Sequence, residues 1–293
     1  MEHVGFIGLG TMGGPMAANV LRRGFKVFGY DVDPGICKKL EAAGMTACTS
    51  PAEAARQADI VVTMLPTEVE VEAACLGPSG VVEGARPGVL LIDMSTIDPD
   101  ASRRIAGRLR ERRIEMIDAP VARSSKEAEL GKLLIFVGGT EEQLQRARPV
   151  LESMGEVILH IGPQGQALVA KLVNNLLSLG TLTVVAEAFA IGRQGGVPLE
   201  TMIEVANKTM ATNGYVAGYL QKKVWRGDTS PGFKIDLAHK DLGLALNWAN
   251  RARLPVPMAA LIRERYNQAR AQGWGGEDCT AIVNLCKDLG RLA

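Results

Sequence analysis

Val4-Gly5-Phe6-Ile7-Gly8-Leu9-Gly10-Thr11-Met12-Gly13-Gly14-Pro15-Met16 is the stretch around which this chain is organised. Gly8-x-Gly10-x-x-Gly13 alone is a weak pattern, because glycine supplies 33 of 293 residues. Its context makes it specific. His3-Val4-Gly5-Phe6-Ile7 before it predicts a buried first strand, and residues 15–21 after it predict a helix. Lys26-Val27-Phe28-Gly29-Tyr30 follows as a second strand and ends at Asp31, eighteen residues past Gly13. A dinucleotide-binding βαβ unit has this order. Gly8 permits the tight turn, Gly10 lets backbone approach a pyrophosphate, and Gly13 lets helix and strand pack closely. The helix N-terminus offers its N–H groups to the phosphates. Gly8, Leu9, Gly10, Thr11, Met12 and Gly13 are therefore expected to bind the cofactor. Asp31 suits the ribose hydroxyls, and its charge repels a 2′-phosphate. The next residues, Val32-Asp33-Pro34, contain no arginine to hold such a phosphate. The expected cofactor is NAD rather than NADP.

Working outward, residues 1–162 alternate short apolar runs with helical runs. Strands are expected at 60–65, 89–94, 115–121 and 132–137, with helices such as 51–58 and 99–112 between them. This alternation predicts an α/β doubly wound, mostly parallel Rossmann sheet. Ligands of such sheets bind beyond the carboxyl ends of the strands. Met64, Leu65 and Pro66, and Thr96 after Ser95, stand at such ends and are expected cofactor contacts. Asp118-Ala119-Pro120-Val121 ends another strand and delivers Arg123, Ser124 and Ser125 to the same edge. A guanidinium flanked by hydroxyls suits a cluster of anionic oxygens. Arg103, Arg104, Arg108, Arg110, Arg112 and Arg113 fall at helical spacing and read as a solvated face.

The pattern changes at Gly162-Pro163. Residues 163–293 predict an all-α domain built around a long interdomain helix over 164–193, about 45 Å of it at ~1.5 Å per residue. Lys171, Asn174 and Asn175 interrupt it, so a buried axis is expected rather than a membrane span. Lys171, Asn174, Asn175 and Ser178 fall on one face at i, i+3, i+4 and i+7. A lysine among Leu168, Leu172 and Leu176 is costly to bury without a partner, and desolvation suits it to proton transfer. A hydrogen-bonded polar stripe between helices, or a lysine reaching out to solvent, is the plainer alternative. Further helices are expected at 199–208, 216–225, 237–251, 259–272 and 280–292. Asp236 is a candidate cap, His239 a structural histidine, and Lys240 either a solvated charge or a residue of the cleft.

The formal net charge of +1 implies no general attraction to nucleic acid or to an anionic membrane. Five cysteines, an odd number without metal or redox spacing, read as free thiols in a reducing cytoplasm. The chain enters its first strand at once, so no targeting segment is expected. The apolar helical half suggests a homodimer or homotetramer.

Taken together, these residues resemble the β-hydroxyacid dehydrogenase family over essentially the whole chain. The ordered matches are Gly8-Leu9-Gly10-Thr11-Met12-Gly13 with Met16-Ala17-Ala18-Asn19, then Asp118-Ala119-Pro120-Val121, then Gly165 through Lys171-Leu172-Val173-Asn174-Asn175, then Lys240-Asp241-Leu242. The resemblance implies an NAD-dependent oxidoreductase with its active site between a Rossmann domain and a helical one. It implies Lys171 as general acid/base, Asn175 as its orienting partner, an acid-binding turn after Val121, and Lys240 near the nicotinamide. One departure is clear. Most of the family continues from Pro-Val with Ser-Gly-Gly, where this chain has Ala122-Arg123-Ser124. That turn, and the stretch from Gly227 to Gly243, look like those of the sulfolactaldehyde reductases. Arg123, Ser124, Asn174 and Ser178 would then hold a sulfonate. The alternatives are a succinic semialdehyde reductase or a 3-hydroxyisobutyrate-type dehydrogenase with Arg123 on a carboxylate. From other classes, the alternatives are an imine reductase, which the lysine argues against, or a non-catalytic NAD-binding protein.

Overall fold

In the computed structural model, which describes residues 2–286, β1 (His3–Ile7) has a parallel neighbour on each side. One is β2 (Lys26–Tyr30) and the other β4 (Ile60–Thr63). The first unit, ending at Lys171, runs β1, α1 (Gly13–Arg22), β2, α2 (Pro34–Glu41), β3 (Thr46–Ala47), α3 (Pro51–Arg56) and β4. It continues through α4 (Glu68–Leu76), α5 (Val81–Gly84), β5 (Leu90–Asp93), α6 (Pro99–Arg110) and β6 (Glu115–Asp118). β7 (Val121–Ala122), α7 (Ser125–Glu129), β8 (Leu133–Gly138), α8 (Glu141–Met154) and β9 (Gly155–Gly162) complete it. The sheet order is β3-β2-β1-β4-β5-β6-β8-β7, with β9 against β8.

Helices cover both faces, so the central strands are buried throughout. Ile60 and Val62 of β4 enter one hydrophobic core and Val61 the other, the period-two alternation of a strand covered on both sides. Each such side chain contributes about 1.5–3 kcal/mol on burial. The chain leaves β1 for β2 on one side and reaches β4 on the other. The loops after β1 and β4 therefore flank a topological switch point.

Two features depart from simple alternation. β8 runs antiparallel to β6 and β7, because Pro120 and the short β7 turn the chain back on itself. β9 was not expected. It pairs parallel to β8, but Glu156, Leu159 and His160 lie exposed along it, and this polar edge hides its strand character.

α9 (Gln166–Gln194) is long and apolar enough to cross a membrane by length and composition, with half of its most apolar window buried in the fold. Leu168 joins the core of the first unit, while Leu179, Leu182, Val185 and Ala186 join that of the second. The second unit, from Leu172 on, adds α10 (Leu199–Asn207), α11 (Leu220–Lys222), α12 (Ile235–Arg251) and α13 (Pro257–Ala271). Among its described residues there is no strand, only an isolated bridge between Lys234 and Asp278. The helix expected at 216–225 is broken. A single wide turn (Tyr215–Tyr219) leads into α11 and then a 3₁₀ turn (Val224–Arg226) that ends at Gly227, φ 78°. Asp236 is not a cap. Ile235 and Asp236 give their N–H groups to Glu277 and Gly275 carbonyls, so α12 starts earlier and Asp236 accepts instead from Arg270 Nε at 2.6 Å. Of the helix expected at 280–292, Cys279–Asn284 is a 3₁₀ turn and residues 287–292 lie outside the described residues.

Candidate active site

The loop between β1 and α1 needs glycine at two positions. Gly8 has φ +90°, and a methyl there would lie 2.4 Å from the Met64 carbonyl oxygen. A methyl on Gly13 would lie 1.9 Å from the Gly8 oxygen, whereas Gly10 faces open space. α1 begins with neither a side-chain cap nor an acidic residue in its first turn. Its N-terminal N–H groups and dipole thus meet no competing charge of their own. Asp31, at the tip of β2, accepts from Leu9 N at 2.7 Å through Oδ2 and from Asp33 N at 2.9 Å through Oδ1. This fastens an acidic residue to the glycine loop. The cradle fits a dinucleotide: Gly8, Leu9, Gly10, Thr11, Met12 and Gly13 could hold its pyrophosphate and Asp31 its ribose.

The next two loops of the sheet edge are tied together. Met64 N donates to Ile7 O, and Leu65 N donates to Ser95 Oγ at 2.9 Å. Behind them Asp93, fully buried, accepts from Thr63 Oγ1 at 2.8 Å and from Ser95 N at 3.1 Å. Burial pushes its carboxyl up to about 6. This hidden carboxylate ties the end of β4 to Ser95, which in turn holds Leu65; Met64, Pro66 and Thr96 follow the same two strand ends. Its role was missed, since an aspartate closing an apolar strand does not announce its partners.

Asp118 closes β6 next to Asp93 in register. Burial raises its carboxyl to about 6 as well, although the N–H groups of Gly165 and Leu168 oppose the shift. Five residues on, Arg123 has φ 82°, a left-handed conformation that few non-glycine residues adopt. Its Nη1 donates to the Lys132 carbonyl and pairs with Glu156. Ser124 donates through both its backbone N–H and its hydroxyl to Glu127, opening α7. Arg123 and Ser124 are thus adjacent, and each already has a protein partner.

On α9, Lys171 and Asn175 are nearly buried, whereas Asn174 is exposed and Ser178 half-buried. In the second unit, Asn174 Nδ2 donates to Asn175 Oδ1 at 3.2 Å, and Asn175 Nδ2 donates to Asp241 Oδ2 at 2.6 Å. Lys240 Nζ lies 3.2 Å from Asp241 Oδ1. Ser178 Oγ and the Tyr215 hydroxyl share a hydrogen bond of 2.7 Å, and burial pushes that phenol above its usual range. Asp241 and Tyr215 were missed as site residues. Asp241 stood in the Lys240-Asp241-Leu242 motif, and Tyr215 carried no signal at all. His239 accepts from Arg270 at 3.2 Å through Nδ1, which suits its structural role.

A family model for the NAD binding domain of 6-phosphogluconate dehydrogenase matches residues 3–162. A second, for the NAD-binding region of NADP-dependent 3-hydroxyisobutyrate dehydrogenase, matches 165–286. The chain belongs to the β-hydroxyacid dehydrogenase family. It is an NAD(P)-dependent oxidoreductase. Within that family it is similar to the 3-sulfolactaldehyde reductase of Escherichia coli K12, with 40% identity over 97% of this chain and 95% of that one. It is also 36% identical to the 2-(hydroxymethyl)glutarate dehydrogenase of Eubacterium barkeri over 98% of this chain and 95% of that one. The structure of Mycobacterium tuberculosis 3-hydroxyisobutyrate dehydrogenase with L-serine matches at a TM-score of 0.91 and 32% identity, covering 97% and 99% of the two chains. An imine reductase from Pseudomonas, at 17% identity and a TM-score of 0.63, shares the fold alone.

Proposed function

We propose that this β-hydroxyacid dehydrogenase uses NADH to reduce a small anionic aldehyde, 3-sulfolactaldehyde, to 2,3-dihydroxypropane-1-sulfonate. Arg123 carries this reading. Its left-handed backbone costs a non-glycine residue about 1–2 kcal/mol, at the position where most of the family has glycine. Such a cost is tolerated where the side chain itself is needed. A sulfonate has three oxygens in a pyramid and asks for more donors than a planar carboxylate. Both protein contacts of Arg123 use Nη1, so Nε and Nη2 make no hydrogen bond to the described residues. Ser124, Asn174 and Ser178 supply the other donors, Ser124 by exchanging Glu127 for the anion.

NADH, when bound, supplies the hydride. Lys171 gives a proton to the oxygen of the developing alkoxide. Asn175 orients the lysine and the carbonyl oxygen, and its amide is itself held by Asp241. Lys240, from the motif Lys240-Asp241-Leu242, would help hold the nicotinamide. Arg123 binds far from the reacting carbon, and this binding aligns the aldehyde. Asp31 favours NADH over NADPH.

The deciding experiment follows NADH oxidation with 3-sulfolactaldehyde and succinic semialdehyde side by side. A kcat/KM about a hundredfold higher for the sulfonate, or about 2.7 kcal/mol, is expected. Equal or reversed values would make Arg123 a general anion clamp and the enzyme a carboxylate semialdehyde reductase.

The same reading includes a homodimer or homotetramer. Val173, Leu177, Val184 and Ile191 are exposed along α9, beside an apolar groove of about 500 Å³ lined by Val185, Phe189, Met258 and Ile262. Monomers for their own sake rarely expose such a stripe. Sedimentation equilibrium at micromolar concentration tests it.

A further inference from the structure

Asp118 is fully buried and makes two bonds that belong to neither its strand nor its sheet. Its Oδ1 accepts from Gly165 N at 2.6 Å and its Oδ2 from Leu168 N at 3.0 Å. These are N–H groups at the start of α9, which no helical carbonyl can satisfy. The space around the carboxylate is made for it. A methyl on Gly138 would lie 2.3 Å from Asp118 Oδ1, and one on Gly165, at φ +88°, would lie 2.7 Å from Arg103 Nε. Arg103 Nε in turn donates to the Gln164 carbonyl at 3.2 Å, and Gln164 Nε2 donates to Ser102 Oγ at 2.9 Å. The entry to α9 is therefore clamped on every side, with Leu168 itself fully buried.

Lys171 is the next residue on that face, three positions after Leu168, or about 4.5 Å further along the axis. In the other direction, Asp118 ends β6, and the chain runs on through β7 to Arg123. One carboxylate thus joins the chain segment carrying the proton donor to the segment carrying the anion-binding turn. We infer that Asp118 is a positioning residue for Lys171, setting the height of the lysine along α9 relative to Arg123. This rests on Lys171 being the proton donor. An asparagine there keeps the shape but offers one acceptor oxygen to two donors, and its NH₂ faces an N–H. The first turn of α9 must then shift, and a displacement near 1 Å at a reacting group costs about a hundredfold in rate.

The test measures kcat, KM and NADH affinity of the whole enzyme for Asp118→Asn, Gly138→Ala, Lys171→Ala and the double variant Asp118→Asn/Lys171→Ala. Gly138→Ala keeps the carboxylate but must displace it. Both positioning variants are expected to lower kcat by about 10- to 100-fold. KM for the aldehyde and the NADH dissociation constant should stay within about threefold, and Asp118→Asn should lower kcat no further in the Lys171→Ala background. A further loss in that background overturns the inference, as does a uniform change in kcat, KM and NADH affinity. Failure of both positioning variants to fold also overturns it, since the carboxylate would then serve the fold as a whole. Unchanged kcat in Asp118→Asn beside a crippled Lys171→Ala refutes the inference alone. An active Lys171→Ala refutes the reading of the lysine beneath it.

Discussion

Asn175 Nδ2 donates to Asp241 Oδ2 at 2.6 Å, with both side chains nearly buried. The pair joins α9 to α12 inside the second unit and fixes which way the Asn175 amide points. Asp241→Leu removes the acceptor and leaves a buried amide unmatched, a loss of about 1–3 kcal/mol. Urea unfolding should show this loss, and kcat should fall with it because Asn175 no longer presents its oxygen in one orientation. Retention of full kcat would separate Asp241 from the site.

Lys171→Ala should reduce kcat by about 10²–10⁴, the usual worth of a positioned proton donor. NADH binding, followed by fluorescence, should be little changed. A variant with the parent kcat would remove the lysine from the chemistry.

Arg123→Gly separates folding from binding. Glycine relieves the left-handed backbone, and the lost pair with Glu156 is worth about 0–1 kcal/mol at this exposure. Stability should therefore stay within about 1 kcal/mol of the parent, while KM for the anionic aldehyde rises at least tenfold. A large drop in melting temperature with an unchanged KM would make Arg123 structural.

Asp31→Ser breaks the bond from Leu9 N and removes the charge opposed to a 2′-phosphate. NADH should bind more weakly and the preference over NADPH should narrow. Titrations with both cofactors check this, and an unchanged ratio would mean that discrimination lies elsewhere.

Asp93 carries a stability signature in pH. Burial raises its carboxyl from the ordinary 3.8 to about 6, so the folded protein takes up a proton more readily than the unfolded chain. Its contribution is fully present below about pH 4 and is lost as pH rises through about 6. Asp93→Asn keeps the oxygen that accepts from Thr63 and Ser95 without the charge. It should stabilise the protein at pH 8 by about 2–3 kcal/mol and lessen the fall of the melting temperature between pH 4.5 and 7, leaving the part due to Asp118. A melting profile parallel to that of the parent would contradict this.

Much of this protein was written locally in its sequence. The glycines at 8, 10 and 13, the strand before them and the helix after them determined the nucleotide cradle, because a tight turn against a helix N-terminus leaves no room for side chains at 8 and 13 and leaves open space at 10. The spacing of Lys171, Asn174, Asn175 and Ser178 determined that they share a helical face, because 3.6 residues per turn is a property of the backbone. Asp31 was legible for the same reason, standing where the second strand must end. What only the tertiary structure decided were pairings between residues far apart in the chain. Asp118 with the start of α9, Asn175 with Asp241, and Ser178 with Tyr215 join positions 37 to 66 residues apart. So does the antiparallel return of β8, with an unforeseen β9 beside it. No local pattern encodes which buried donor meets which acceptor. That choice is made when packing removes water and each polar group must find the partner the fold brings within reach.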